Sequence, residues 1–227
     1  MTLFLIIVSA YAGLLILIKH APSSLKTAPI TYTENFKFVW GSVCTGIFIL
    51  LIFLFTTNFN FIEVDENLYG ILALSNNMEL FLKWPLQSAT HLFIHANLYH
   101  LTANIVGLGL ASVYERKVGA KRYFAVLLVG SLASIPSIFF YSENIAICGI
   151  SGGIFGLAAA YFTDEKQLTA KEWFLAILLF LFFAIMLTLD SEFKRITNVA
   201  SSMKTDHVGH LLGALGAILY CRVKPLR

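Results

Sequence analysis

CGISGGIFG, residues 148–156, sets a single serine among glycines at the head of an apolar run that lasts only until Asp164. From Ile150 the run holds about 14 residues, and at 1.5 Å per residue it covers roughly 20 Å of a hydrocarbon layer about 30 Å thick. A second run, from Val208 to Arg222, is as short. If both are helices in a bilayer, both begin below its outer surface. Their first N–H groups then have no water to bond unless protein encloses a wet recess there. Polar residues at these two helix heads decide how the chain is read.

The rest of the composition supports a bilayer. Hydrophobic residues make up 58% of the 227, charged residues 13%, and the mean hydropathy is +0.77. An ordinary globular chain carries about 25% charged residues. The net charge of +3 is spread over the chain with no basic tract, which argues against nucleic acid as a partner. Three cysteines, Cys44, Cys148 and Cys221, are too scattered for a disulfide framework or a thiolate metal site and read as small buried residues.

Seven charge-poor stretches read as helices: Leu3–Ile18, Phe38–Phe55, Leu92–Val113, Tyr123–Phe140, Ile150–Phe162, Trp173–Leu189 and Val208–Val223. The first lacks a basic segment before it and a small-residue cleavage site after it, so it reads as a retained span. With that span running inward, only four of the 16 Lys and Arg residues (Lys83, Lys194, Arg195 and Lys204) fall in outer loops. This bias sets the orientation. It puts the acidic segment from Thr56 to Thr90 outside, where its length predicts packing on or in the bilayer surface.

Polar groups inside spans mark function or packing, and here they gather toward the outer half. His91, His95, His100 and Asn104 lie in or just before the third span, Ser151 heads the fifth, and His207 and His210 head the seventh. His100 and Asn104 share a helix face with Gly107 and Ala111, which alone reads equally as a hydrogen-bonded clamp over a small-residue groove. Ser151 alone reads as an N-cap. Gly152 and Gly156, answered by Gly209 and Gly213, would let the two short helices touch and bring Ser151 beside His210. A serine becomes a nucleophile when an imidazole accepts its proton. The oxyanion then needs donors, which the Ser151 amide, His100 and Asn104 can supply.

The segments HLFIHANLYHLTAN, GISGGIFG and DHVGHLLGALG resemble, in order and on separate spans, the three signatures of the rhomboid intramembrane serine proteases. The match lies at His100 and Asn104, Gly149 to Gly152, and His210 with Gly213; YERKVG, with Glu115 and Arg116, resembles the loop that follows the first signature. The resemblance implies an all-α, polytopic membrane protein with a six-helix core over residues 36–227. The additional N-terminal transmembrane helix and its linker take residues 1–35. It implies Ser151 as nucleophile, His210 as general base, and His100, Asn104 and the turn at Gly149 as the oxyanion and substrate-binding site. Transmembrane proteins would be the substrates, cut near the outer face with no metal, nucleotide or other cofactor. Glu115 and Arg116 would be structural. A bacterial inner membrane fits the short loops. Neither a particular substrate nor an oligomeric state is written in the pattern.

Two positions depart from the family's pattern: Gln87 stands about where an outer-loop Arg is usual, and Phe155 where Tyr is common, still able to stack on His210. Asp206, four residues before His210, offers a Ser-His-Asp arrangement as an alternative to the dyad. The rival chemistries are weaker. His91 with His95 and His207 with His210 have zinc-pair spacing, but HExxH is absent. A zinc role would also leave the serine unexplained. A silent relative that escorts membrane proteins would usually have lost the serine or the histidine, and this sequence keeps both with the oxyanion residues; a histidine-lined transporter is the remaining option.

Overall fold

The computed structural model describes residues 32–141, 145–164 and 205–226, with 170 and 174. The stretches Leu3–Ile18 and, apart from Phe174, Trp173–Leu189, and with them the N-terminal segment 1–35 up to Thr31, lie outside the described residues. The other five expected spans fall within them, and the described fold is mostly helical. In chain order it runs α1 (Tyr32–Thr56), α2 (Glu66–Leu72), β1 (Leu74–Ser75), a 3-10 turn (Met78–Lys83), α3 (Trp84–Thr90), α4 (Leu98–Val118) and α5 (Ala120–Ser134). A second 3-10 turn (Ile135–Phe140), β2 (Ala146–Ile147), α6 (Ser151–Asp164) and α7 (His207–Val223) follow. Two helical segments, Phe36–Thr56 and Ala120–Phe140, are long and apolar enough to cross a membrane, and α7 is a shorter apolar helix.

Local chemistry sets the boundaries. Asn97 caps α4 by accepting from the His100 N–H at 2.9 Å. The helix therefore starts at Leu98 rather than at Leu92, and His91 and His95 lie before it. Gly119 sits at φ +81, closes α4 with a bond to the Glu115 carbonyl, and turns the chain directly into α5. At Val39 the backbone of α1 leaves helical geometry. The amides exposed just past this kink, on Gly41 and Ser42, donate to the two Glu115 oxygens at 2.7 Å each, so a carboxylate from α4 caps the continuing helix.

Ile49 and Phe53 of α1, Leu101, Ile105 and Leu108 of α4, Tyr123 of α5, Leu157 of α6 and Ala217 of α7 pack into one buried core. Size is sorted across α7: Leu211, Leu215 and Leu219 are exposed, at 61, 47 and 66%, while Gly213 and Ala217 face inward. Large apolar side chains outside and small ones inside describe a helix whose solvent is lipid.

The segment after α1 is ordered and apolar outward. Phe81, Leu82 (89% exposed), Leu86, Phe139 and Phe140 form an exposed apolar flange, stiffened by ring contacts of Trp84 with Phe81 and Phe139. Gln87, fully buried on α3, donates to the Gly70 and Ile71 carbonyls and accepts from the Ser75 amide. It holds the segment between α1 and α4 together from within. The antiparallel pair β1–β2 sets Leu74 opposite Ile147 and Ser75 opposite Ala146, which joins this segment to the chain leading into α6.

At the opposite end, Arg122 grips Asp164 through two bonds of 2.8 and 2.7 Å and donates to the Lys224 carbonyl. Tyr114 donates to the same carboxylate at 2.6 Å. This network ties α4, α5, α6 and the end of α7 together.

Candidate active site

The heads of α6 and α7 meet because three helices have given up their side chains there. A Cβ on Gly213 would strike the Gly152 carbonyl, and one on Gly156 would lie 3.2 Å from the Gly213 oxygen and from the Ala217 Cβ. The third participant is Gly130 of α5, whose Cβ would lie 3.1 Å from Gly152 O and Gly153 Cα. The inward stripe of α7 thus runs from Gly209 through Gly213 to Ala217, all three buried. Gly209 also lies against the Asp206 carboxylate.

This contact sets the Ser151 hydroxyl 2.8 Å from His210 Nε2, hydrogen-bond distance for an O–H donating to a ring nitrogen. Phe155, one turn into α6, stacks on the His210 ring at 4.4 Å between centroids and 12° between planes. His210 is 8% exposed, and its Nδ1 meets no hydrogen-bond partner among the described residues. Asp206 does not reach that nitrogen. Its Oδ1 accepts from the Gly209 amide at 2.7 Å and from Tyr141 at 2.8 Å, and its Oδ2 accepts from Ser137. It is the N-cap of α7, fastened to the end of the α5 segment. Burial, and then the carboxylate to which it donates, push the Tyr141 hydroxyl up to about 12, so it stays a donor at neutral pH.

A second group forms before Ser151. Gly149 has φ +100, and its N–H donates to the His91 carbonyl at 2.7 Å. A side chain there would be strained by the backbone and would also enter His100, the Cβ falling 2.6 Å from Nε2 and 2.7 Å from Cε1. Asn104 Nδ2 lies 3.7 Å from the same point and donates one hydrogen to the His100 carbonyl at 2.9 Å, which leaves its second hydrogen for another acceptor. As the first residue of α6, Ser151 presents an N–H of the kind that has no partner within its helix. Each of the five residues singled out from sequence, Ser151, His210, His100, Asn104 and Gly149, thus falls into one of two contact groups.

The other histidines serve differently. His91 Nδ1 bonds the Gln87 carbonyl at 2.8 Å and His95 Nδ1 that of Phe93 at 3.2 Å. Because α3 ends at Thr90, their four-residue spacing is not that of one helix face. The His95 ring stands 5.1 Å from that of His100, and exposed His207 6.3 Å from His210. Three contributors carry no functional signature in the sequence: Gly130, the Ser137–Tyr141 pair, and the contact of Cys148 with His100. Only Gly130, four residues before Ser134 and so part of a small-residue face, offers a local signal of close packing.

The chain matches the family model for the Rhomboid domain over residues 83–224, more than half its length. A search of curated proteins finds no match.

Proposed function

Because the chain belongs to the rhomboid family, and is accordingly an integral membrane protein, we propose that it is a serine protease that hydrolyses peptide bonds in or near the transmembrane segments of other membrane proteins. The observation that carries this reading is the 2.8 Å contact of the Ser151 hydroxyl with His210 Nε2 at the heads of two short helices.

The chemistry follows from that pair. Ser151 Oγ attacks the scissile carbonyl carbon while His210 Nε2 takes the hydroxyl proton. The carbonyl oxygen gathers the negative charge and is met by the Ser151 amide, by His100 and by the second hydrogen of Asn104 Nδ2; each such donor lowers the barrier by about 3 kcal/mol. Collapse breaks the C–N bond, and His210 returns its proton to the leaving amine. Water, deprotonated by the same imidazole, then attacks the acyl-serine ester, and Ser151 recovers its proton. Phe155 holds the imidazole plane throughout. Asp206 acts on the helix rather than on the ring, which favours a dyad over a triad. The loop charges support a site opening toward the outer face, and the short loops suit a bacterial inner membrane.

The test uses purified protein in liposomes with a transmembrane peptide substrate. We expect cleavage by the wild type, none by Ser151→Ala, and a fluorophosphonate adduct mapped to Ser151. Equal cleavage by both proteins, or labelling elsewhere, overturns the reading. Peptide binding without cleavage would point to the silent, escorting alternative.

A further inference from the structure

His100 serves as an oxyanion donor in the proposed reaction, and a neutral imidazole has only one proton for two nitrogens. The proton must be on the nitrogen that faces the reaction. Nε2 is that nitrogen, since it lies against Gly149, in the turn that enters Ser151. Nδ1 points to the other side, where the Cys148 Sγ lies 3.8 Å away, within reach for a sulfur hydrogen bond.

We propose that Cys148 is a positioning residue whose S–H donates to His100 Nδ1 and so keeps the imidazole proton on Nε2. The inference rests on the oxyanion role proposed for His100. With the opposite tautomer, His100 would turn a lone pair toward the developing negative charge and oppose the reaction.

The surroundings hold the thiol in place. The residues before Cys148 are paired with β1, and the residue after it is tied to the His91 carbonyl. Tyr69 of α2 donates to the Ala146 carbonyl, two residues before Cys148, at 3.2 Å. Burial, and next the neighbouring thiol, push the Tyr69 hydroxyl well above the ordinary phenol range, so it keeps the proton that it donates to Ala146. Through Cys148 the β1–β2 pairing thus reaches His100 Nδ1.

The experiment is nitrogen-15 NMR of ring-labelled histidine in the full chain in bicelles, with the His100 signals assigned by their loss in His100→Asn. In the wild type the proton should be on Nε2. In Cys148→Ala both tautomers should be populated, with kcat lower by about fivefold and KM within about twofold, the pattern of a lost transition-state interaction. Cys148→Ser restores a donor and should recover Nε2–H and most of kcat. A merely structural role would leave the tautomer unmoved. A wild-type proton on Nδ1, or a Cys148→Ala protein with unchanged tautomer and kcat, overturns the proposal. Because the tautomer is measured without catalysis, a chain that fails to cleave would sink the protease reading while the NMR spectra still decide the role of Cys148.

Discussion

At the scale of single residues, the site is a matter of which atom each polar group faces. Stacking of the kind Phe155 makes on His210 is worth about 0.5–1.5 kcal/mol. Phe155→Ala should therefore lower kcat/KM by about three- to tenfold, measured on a transmembrane peptide, while Phe155→Tyr stays near wild type. Asp206 separates two roles. A triad member would match Ser151→Ala in its loss of activity; a helix cap would not. We expect Asp206→Asn to keep clearly measurable cleavage, and Asp206→Ala to lower unfolding stability by about 2 kcal/mol. The motif residues were legible because a serine among glycines, an i, i+4 His–Asn pair and a histidine at a helix head have few uses in lipid. The cap was not. Asp206 lies at a spacing that suits helix-face sharing and capping alike, and only the positions of Ser137 and Tyr141, 69 and 65 residues away, decide between them.

At the scale of helices, glycine measures how close two backbones come. Gly213→Ala puts a methyl group into the Gly152 carbonyl and should lower stability by about 3 kcal/mol or prevent folding. At Gly130 the neighbours need give only a few tenths of an ångström, so Gly130→Ala should be milder. Nothing lies within 4 Å of a Cβ at Gly70; Gly70→Ala should stabilise α2 by about 0.5–1 kcal/mol. Thermal unfolding in one detergent checks the order of the three. The close approach of α6 and α7 was legible from their short apolar runs and spaced glycines. The start of α4 was not placed correctly, because Leu92, Phe93 and Ile94 extend the apolar run backward while the Asn97 cap cuts it off. The second use of Gly209 was not legible: besides lying buried on the Gly213 face, its missing side chain makes room for its own helix's cap.

At the scale of the molecule, two polar knots hold helices that lipid alone would not order. Arg122→Lys keeps the charge but loses the fork that grips both Asp164 oxygens, and should lower stability by about 2 kcal/mol. Glu115→Gln sets an NH2 group against one of the two amides that the carboxylate now serves, with a similar loss. Chemical denaturation of each variant reads these values. Neither knot was legible in detail, since partners 42 and 74 positions apart leave no local pattern; only the structural role of Glu115 was expected, from resemblance. The two-residue ladder of β1 with β2, together with the Gly149–His91 bond, has a mechanical meaning. It is a short tether between the rim of the protein and the doorstep of its serine. The Asn76 amide, which follows β1 and donates to the Ile145 carbonyl at 3.2 Å, and the Gly149 amide should exchange with deuterium at one shared opening rate, and whatever seizes the rim, whether an antibody or a change in lipid thickness, should throttle the serine from a distance.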